Sequence, residues 1–293
     1  MGLDVGATKA LAVLWEGSDA TAEQTWPTGR DLGPQRLLDL LDEVEAWAAS
    51  LAGRRLDAAG IGFPGMVGEG GRVRSSVMVD GWQDVPLRAE AQARLGVPCA
   101  VDNDGNCAAV AEHLCRGGSH DLLYVSVGTG IGGALVLGGR LWHGVDGLAG
   151  EVGHTAGAPG TGPCSCGGRD CLHMVSTSRA IEESLGIEPG GLRHPGDTPA
   201  EQRRRERALE SSAAAVGVAA ANAVNLLAIP LVVIGGGVVR HPGYVEGVQR
   251  SFREHAMAEH QRSVRVETAA AGYSAGAVGA AIIASELLRP DDG

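Results

Sequence analysis

The sequence predicts an α/β protein in which two similar domains face each other across a cleft. Segments with strand character alternate with segments of helical periodicity, and glycine turns follow the predicted strands. The order strand, glycine turn, strand occurs at 2–15 and again at 122–137, and further strand and helix segments follow in both places. We interpret this weak internal repeat as two domains of one type.

The glycine content restricts the class of protein. Glycine makes up 46 of the 293 residues, more than twice the usual share of about 7 %, while 44 % of the residues are hydrophobic. That hydrophobic fraction excludes a disordered chain, and the absence of a G-X-Y period excludes collagen. So much glycine in a globular chain indicates tight turns and close approaches of the backbone.

The charge and hydropathy of the chain restrict its partners. Lys and Arg number 24 against 35 Asp and Glu, a net charge of −11, which argues against nucleic acid or a membrane surface as partner. Backbone N–H groups bind phosphate without net positive charge, so the acidity does not exclude a nucleotide. Neither a transmembrane span nor a signal peptide is expected, and we predict a cytoplasmic protein.

Hydrophobic periodicity and turn residues predict the elements of the first half. Apolar residues recur at helical spacing after Pro34, which suits a first helical turn, and Gly53 is a stop signal. Asp104 follows a strand and is a candidate N-cap. The predicted strands lie within 2–15, 58–65 and 97–104, and the predicted helices cover 34–52 and 105–117.

The second half combines strands interrupted by glycine with longer helices. A helix with breaks is expected from near Pro199 to about Ala228, after irregular segments at 150–173 and 186–201. The other predicted elements are strands within 122–144 and 230–239 and helices over 240–260 and 274–288.

Three glycine clusters at strand ends are candidate nucleotide-binding turns, although each alone could be an ordinary turn. At 4–9 (DVGATK) the backbone could approach a phosphate, Thr8 could donate to it, and the acid could hold hydrated Mg²⁺. The cluster at 128–133 is similar to a dinucleotide fingerprint, but a strand follows it, so a phosphate hairpin fits better. The glycines at 235–237 have no side chains, so a flat ring could lie directly against the backbone there.

Two acids and an amide at 102–104 form a candidate catalytic segment. A carboxylate between a strand end and a helix start, here Asp104, can accept a hydroxyl proton and align the oxygen for in-line attack. Asn103 could hydrogen-bond neighbouring hydroxyl groups. The alternative is that Asp104 is only a helix cap.

One histidine and three cysteines have the spacing of a metal site. They are His154, Cys164, Cys166 and Cys171, in the pattern H-x9-C-x-C-x4-C. A Cys₃His set is a closed tetrahedral zinc site, so we expect a structural zinc that orders a loop with little apolar content. The alternative is reduced cysteines without a metal. The other cysteines, Cys99, Cys107 and Cys115, are expected to be small buried apolar residues.

Together these segments resemble the ROK family of repressors and sugar kinases over essentially the whole chain. Residues 4–9 resemble its first phosphate motif, 102–106 (DNDGN) its catalytic segment, and 150–154 (GEVGH) with 164–171 its sugar and zinc signature. Residues 235–237 resemble its adenosine-side loop. The resemblance implies two actin-like ATPase (ribonuclease H-like) domains around a central cleft, Mg-ATP, and phosphoryl transfer to a hexose, typically at the 6-hydroxyl.

The resemblance also implies domain bounds and an assembly. A small N-terminal domain would cover 1–104, with the C-terminal helix 275–293 packing back on it. A large domain would cover 105–274 and carry the zinc loop 154–171. A homodimer or higher homo-oligomer is implied by the resemblance alone. Because the chain begins at the phosphate hairpin rather than at a helix-turn-helix domain, a repressor is not expected.

On the same analogy the motif residues receive roles. Asp104 would be the general base, and His154 would contact the sugar while it binds zinc with Cys164, Cys166 and Cys171. The sugar site would consist of Gly65, Asn103, Asp104, Glu151, His154 and His173. The ATP site would consist of Asp4, Gly6, Thr8, Lys9, Gly128, Thr129, Gly130, Gly235, Gly236 and Gly237.

Two departures from the family pattern leave the sugar open. His173 stands where Glu usually follows Cys-Leu, and an imidazole can donate, accept or carry charge where a carboxylate only accepts. The segment before Gly81 offers no Asn. Either glucose or an amino sugar such as kanosamine fits, with an N-acetylhexosamine or a cyclitol as alternatives. Asp80 or Asp102 could pair with a substrate amine, or be a surface or turn acid.

Two other classes of protein are rivals of a sugar kinase. A non-catalytic sugar sensor on the same fold would keep the sugar site and the zinc loop but transfer nothing. An NAD-dependent oxidoreductase would use the glycines at 128–133, but the helix that such a site requires is not predicted after them. The presence of Asp4, Thr8, Lys9 and Asp104 favours the enzyme.

Overall fold

The structure is a computed structural model that describes residues 1–53, 55–157, 159–194, 196 and 198–288. Residues 289–293 of the expected C-terminal helix and Ala158 of the expected zinc loop lie outside the described residues. No helix in the described part of the chain is long and apolar enough to cross a membrane.

The described chain divides into two units. The first contains Met1–Gly118, Leu141–Ala149 and the chain from Ala270 onward, and the second contains Ser119–Arg140 and Gly150–Ala269. The first unit therefore extends beyond the boundary at residue 104 that the resemblance implied.

The elements are numbered along the chain. The strands are β1 (Gly2–Val5), β2 (Lys9–Glu16), β3 (Asp19–Pro27), β4 (Ala59–Phe63), β5 (Met66–Gly68), β6 (Arg72–Ser75), β7 (Gln83–Val85), β8 (Cys99–Asn103), β9 (Leu122–Val127), β10 (Ile131–Leu137), β11 (Arg140–Leu141), β12 (Leu231–Gly235) and β13 (Arg265–Thr268). The helices are α1 (Pro34–Ala52), α2 (Leu87–Leu95), α3 (Asp104–Cys115), α4 (His173–Ser176), α5 (Ser178–Leu185), α6 (Pro199–Leu227), α7 (Tyr244–His255), α8 (Ala258–Ser263) and α9 (Ala275–Glu286).

The two main sheets share one topology. The first unit has the order β3-β2-β1-β4-β8, and the second has β11-β10-β9-β12-β13. In each sheet the three last-named strands run parallel, and the hairpin partner, β2 or β10, pairs antiparallel with the first of them. The hairpins β1–β2 and β9–β10 therefore occupy equivalent places, which explains the sequence repeat. Every residue of β4 and β12 is buried, as expected of central parallel strands.

Helix α9 packs closely on the first sheet because glycines stand at the points of contact. A Cβ on Gly2 of β1 would lie 1.9 Å from the carbonyl oxygen of Ala277, and a Cβ on Gly60 of β4 would lie 1.8 Å from that of Ala280. A Cβ on Gly279 of α9 would lie 1.7 Å from the carbonyl oxygen of Cys107 in α3. This close packing of α3 on α9 explains why α3 belongs to the first unit.

Several expectations about single elements are wrong, each for a reason in the packing. The helix from Pro199 runs without a break, and Gly217 is a packing position within it rather than a stop: a Cβ there would be 2.6 Å from the Val248 carbonyl oxygen of α7. Cys115 is exposed rather than buried, because it stands at the end of α3. The sequence also missed β3, an edge strand in which Trp26 alone is buried, and it missed the small sheet β5-β6-β7, α2 and β13.

We expect Gly60→Ala to lower the free energy of unfolding of the first unit by about 1–3 kcal/mol, because the added methyl group collides with the backbone of α9. Urea unfolding followed by tryptophan fluorescence measures it, since all five tryptophans belong to the first unit. Gly33→Ala, whose Cβ meets no atom within 4 Å, is the control; it alters only the N-cap of α1 and should lower the free energy of unfolding less than Gly60→Ala does. Equal unfolding midpoints for the two variants would contradict the close approach.

Candidate functional site

The segment 102–104 joins the end of β8 to the start of α3. Asn103 caps the helix, since its Oδ1 accepts hydrogen bonds from the backbone N–H groups of Gly105 at 2.8 Å and Asn106 at 3.3 Å. Its Nδ2 donates to the carbonyl oxygen of Gly65 at 3.0 Å. The expectation that Asp104 caps the helix is wrong: Asp104 is the first helical residue. Asp104 therefore lies just past the carboxyl end of β8, at the first turn of α3.

Asp4 and Asp104 lie near the carboxyl ends of β1 and β8, the two strands that flank β4 in the first sheet. Gly62 of β4 pairs with Asp4 on one side and with Asp102 on the other. A Cβ on Gly62 would lie 3.7 Å from Asp104 Cα, so the segment 102–104 packs directly over β4. Burial, followed by the charge of Asp104, raises the pKa of Asp4 to about 7. Two acids whose charges interact thus lie at the carboxyl ends of the strands of one sheet.

We expect the unfolding free energy of the first unit to fall as the pH rises from about 4 to about 7 in Mg²⁺-free buffer, and Asp4→Asn to remove most of this loss. The folded-state pKa of Asp4, about 7, exceeds its ordinary value of 3.8, so the folded state binds the proton that the unfolded chain releases. The difference of about three units limits the effect to about 4 kcal/mol. Urea unfolding at several pH values measures it.

The control for this prediction is Asp19→Asn, a change at an exposed acid of the same unit. It should leave the slope of stability against pH unchanged. The same slope in Asp4→Asn and in the unmodified protein would contradict the raised pKa of Asp4.

The hairpin between β1 and β2 presents Thr8 and Lys9 at the surface. The backbone N–H of Gly6 donates to the carbonyl oxygen of Lys9 at 3.0 Å, and Thr28 Oγ1 donates to that of Gly6 at 2.6 Å. Lys9 Nζ lies 4.4 Å from the ring centroid of Tyr273, a cation–π contact. A hydroxyl group and an ammonium group therefore stand on a fixed turn that begins just after Asp4.

The two glycine turns of the second unit lie side by side. They follow β9 and β12, which pair in parallel, and a Cβ on Gly128 would lie 3.8 Å from the backbone nitrogen of Gly237. Gly236 has a φ of 89°, and a Cβ there would lie 2.3 Å from the Val127 carbonyl oxygen. Glycine is thus required for this approach. Strand β10 follows the first turn directly, so the helix of a Rossmann site is absent at this described segment.

The predicted metal ligands come together in the second unit. The ligand atoms of His154, Cys164, Cys166 and Cys171 all lie within 4.8 Å of one another. Cys164 Sγ lies 3.8 Å from His154 Nδ1, and Cys166 Sγ lies 3.7 Å from Cys171 Sγ. Thiolates about 2.3 Å from a tetrahedral zinc stand about 3.8 Å apart, so these distances fit that ion. The backbone N–H of Cys166 lowers the pKa of Cys164 to about 6, toward the thiolate that a metal binds.

His154 presents one ring nitrogen to the cysteines and the other to Glu151. Its Nδ1 faces Cys164, and its Nε2 lies 4.0 Å from Glu151 Oε2. The rings of His154 and His173 are stacked, with centroids 5.7 Å apart and planes 10° apart. His154 can therefore bind a metal through Nδ1 and still offer Nε2 to another group.

His173 lies between His154 and the first glycine turn. A Cβ on Gly130 would lie 3.6 Å from His173 Cε1. Among the described residues, His173 Nδ1 is buried without a hydrogen-bond partner. Burial, followed by the charge of His154, lowers the pKa of His173 and favours the neutral ring. A neutral imidazole can donate through one nitrogen and accept through the other.

The sequence did not predict one close contact between a carboxylate and an imidazole. Asp102 is buried, not a surface or turn acid, and its Oδ2 lies 2.7 Å from His143 Nε2. By contrast, Asp80 is exposed and pairs with Arg30 at 3.4 Å. No motif surrounds His143, and 41 positions separate it from Asp102, so no sequence signal pointed to the pair.

Comparison with known proteins assigns the chain to a family. Residues 1–287 match the sequence model of the ROK family. The chain is 28 % identical to a glucokinase of Halalkalibacterium halodurans, over 95 % of this chain and 92 % of that protein. It superposes on the crystal structure of a ROK hexokinase from Thermus thermophilus with a TM-score of 0.83 and 33 % identity, covering 100 % of this chain and 99 % of that one.

A second structure carries ligands. It is a ROK family glucokinase from Streptomyces griseus in complex with glucose and AMPPNP, with a TM-score of 0.80 and 26 % identity over 97 % of this chain and 98 % of that one. The fold of the chain is accordingly the actin-like ATPase fold of these enzymes. The chain belongs to the ROK family.

Proposed function

We propose that this chain is an ATP-dependent sugar kinase that transfers the γ-phosphoryl group to the 6-hydroxyl of a hexose. The observation that carries the proposal is the position of Asp104, at the first turn of α3 and close enough to Asp4 for their charges to interact. The similarity to glucokinases and to a ROK hexokinase supports a hexose as the substrate.

In the proposed reaction Asp104 is the general base. Its carboxylate accepts the proton of the sugar hydroxyl as that oxygen forms a bond to the γ-phosphorus of ATP. The bond between the γ-phosphorus and the bridging oxygen breaks, and ADP leaves with the electron pair. The products are a sugar phosphate, ADP and the proton on Asp104, which passes to solvent.

The sugar would be held by the residues that the resemblance assigns to it. The second amide hydrogen of Asn103 remains available beside its bond to Gly65. Glu151 and the Nε2 of His154 offer an acceptor and a polar nitrogen that lie 4.0 Å apart. On the family resemblance, these residues would satisfy hydroxyl groups of one sugar and select among sugars by hydrogen bonding.

The nucleotide would be bound by backbone and small side chains. Thr8, Lys9 and the backbone of Gly6 suit phosphate oxygens, and the glycine turns 128–130 and 235–237 suit the remaining parts of ATP. Asp4 is the acid that would hold hydrated Mg²⁺, which neutralises phosphate charge during transfer. Charge on the bound cation would favour the ionised form of Asp4.

The metal in the cluster of His154, Cys164, Cys166 and Cys171 would be a structural zinc. Four protein ligands leave no open coordination position, so the ion would order the loop rather than react. By fixing the ring of His154, the zinc would also fix the nitrogen that faces Glu151.

The particular sugar depends on His173, which replaces the usual carboxylate. A carboxylate only accepts hydrogen bonds, whereas neutral His173 also donates one, so the preferred hydroxyl or amine pattern changes. We propose glucose or a glucose-like amino sugar such as kanosamine, with an N-acetylhexosamine or a cyclitol as alternative substrates. We also propose a homo-oligomer, on the family resemblance.

The test of this function is ADP release with ATP, Mg²⁺ and a panel of glucose, mannose, N-acetylhexosamines, kanosamine and cyclitols. Turnover with at least one sugar supports the kinase, and the product's phosphorylated position is read by NMR. Sugar binding without turnover would identify a non-catalytic sensor instead.

A further inference from the structure

The pair formed by Asp102 and His143 has no part in the mechanism proposed above. Asp102 stands at the end of β8 with its side chain 9 % exposed, immediately before Asn103 and Asp104. Its Oδ2 lies 2.7 Å from His143 Nε2. Because an ionised carboxylate only accepts hydrogen bonds, the imidazole donates through Nε2.

The second oxygen of Asp102 binds the catalytic segment itself. Oδ1 accepts from the backbone N–H of Asn103 at 2.7 Å and from Asn106 Nδ2 at 2.7 Å. One carboxylate thus ties the strand end and the first turn of α3 to His143. Loss of His143 would leave Oδ2 of this buried acid without that bond, and the turn around it would adjust.

His143 belongs to a segment that is held by other contacts as well. The segment Leu141–Ala149 is part of the first unit, and its Asp146 pairs with Arg74 at 2.9 Å. A Cβ on Gly147 would lie 2.4 Å from the Val67 carbonyl oxygen, so the backbones touch there. Replacing the His143 side chain should therefore leave the segment in place and affect mainly Asp102.

We propose that His143 is a positioning residue for phosphoryl transfer, which through Asp102 holds the turn 102–104 so that Asp104 faces the sugar hydroxyl. This inference rests on the proposed sugar-kinase function. The hydrogen bond to Asp102 raises the pKa of His143, as expected of a charge-assisted pair. In the proposed reaction Asp104 remains the group that touches the substrate.

The test compares His143→Ala and His143→Gln with the unmodified protein by steady-state ADP release. His143→Ala should lower kcat about 10- to 100-fold, the effect of a small misplacement of a reacting group, while KM for ATP changes less than about twofold. His143→Gln, whose amide can still donate to Asp102, should keep most of the activity. Imidazole should partly restore His143→Ala, because the side chain of His143 is half exposed.

Two further measurements make the result specific. His260→Ala, at a partly exposed histidine of α8 in the second unit, is the matched control and should leave kcat unchanged. NMR titration of His143 gives a readout without catalysis: in Asp102→Asn its pKa should fall. Rescue of kcat by imidazole is not expected if His143 serves stability alone, and the fall in pKa shows that the pair with Asp102 forms.

The possible results distinguish a failure of the positioning role from a failure of the proposed sugar-kinase function. Unchanged kcat in His143→Ala, or an unchanged His143 pKa in Asp102→Asn, would overturn the positioning role and leave the kinase intact. No turnover with any sugar in the unmodified protein would remove the proposed function and this inference with it.

Discussion

Replacing Asp104 by Asn is expected to lower kcat for sugar phosphorylation by about 10²- to 10⁴-fold, the usual contribution of a general base. The amide has nearly the same shape, and its carbonyl oxygen can still accept the hydrogen bond that the Gly105 backbone donates at 2.9 Å. It cannot accept the proton of the sugar hydroxyl. ADP release measures kcat, and calorimetry with an ATP analogue should show unchanged nucleotide affinity.

Asp84→Asn is the matched control for this experiment. Asp84 is exposed and has a φ of 57°, a conformation that Asn also adopts readily. Its turnover should equal that of the unmodified protein. Near-normal turnover in Asp104→Asn would exclude Asp104 as the base, whereas a lost fold or lost nucleotide binding would show that the residue has a structural role.

Cys166→Ser is expected to abolish zinc binding and to lower kcat/KM for the sugar at least about tenfold, because metal ligands and their partners hold functional side chains in place. The four ligand atoms form one cluster, so loss of a thiolate frees the ring of His154, on which His173 is stacked. Metal analysis of the purified protein should find about one zinc per chain before the change and none after it.

Cys115→Ser is the control, since Cys115 is likewise an exposed cysteine but lies outside the cluster. It should keep both the zinc and the activity. A metal-free unmodified protein with full activity would contradict the structural zinc. Zinc retained in Cys166→Ser would show that the ion sits elsewhere.

Much of the fold could be predicted because its signals are local. The boundaries of α1 follow from Pro34 at its start and from Gly53, which takes the left-handed conformation with a φ of 64°. The buried strands β4 and β12 are apolar runs, as parallel strands require. β3 could not be predicted in this way, because it is an edge strand and its exposed residues show no apolar run.

In the candidate site, too, the features with a local signal in the sequence could be predicted and the others could not. The cluster of His154 and three cysteines lies within 18 residues, and its spacing predicted ligand atoms that the structure does bring together. The sequence-based interpretation named Asp104 as the candidate N-cap of α3, whereas Asn103 caps that helix. Both residues can cap a helix, and only the backbone path decides which one does.

The sequence by itself determined the fold class, the repeat of two similar halves and the motifs that identify the family. It did so because strand, turn and metal-ligand patterns act over short distances along the chain. The tertiary structure decided which distant groups meet, as Asp102 meets His143 and as Gly60 meets Ala280. Those contacts depend on the packing of distant segments. A buried carboxylate needs a hydrogen-bond donor, and only the fold decides which donor is near; glycine is required where a Cβ would collide with a neighbouring backbone, as at Gly60.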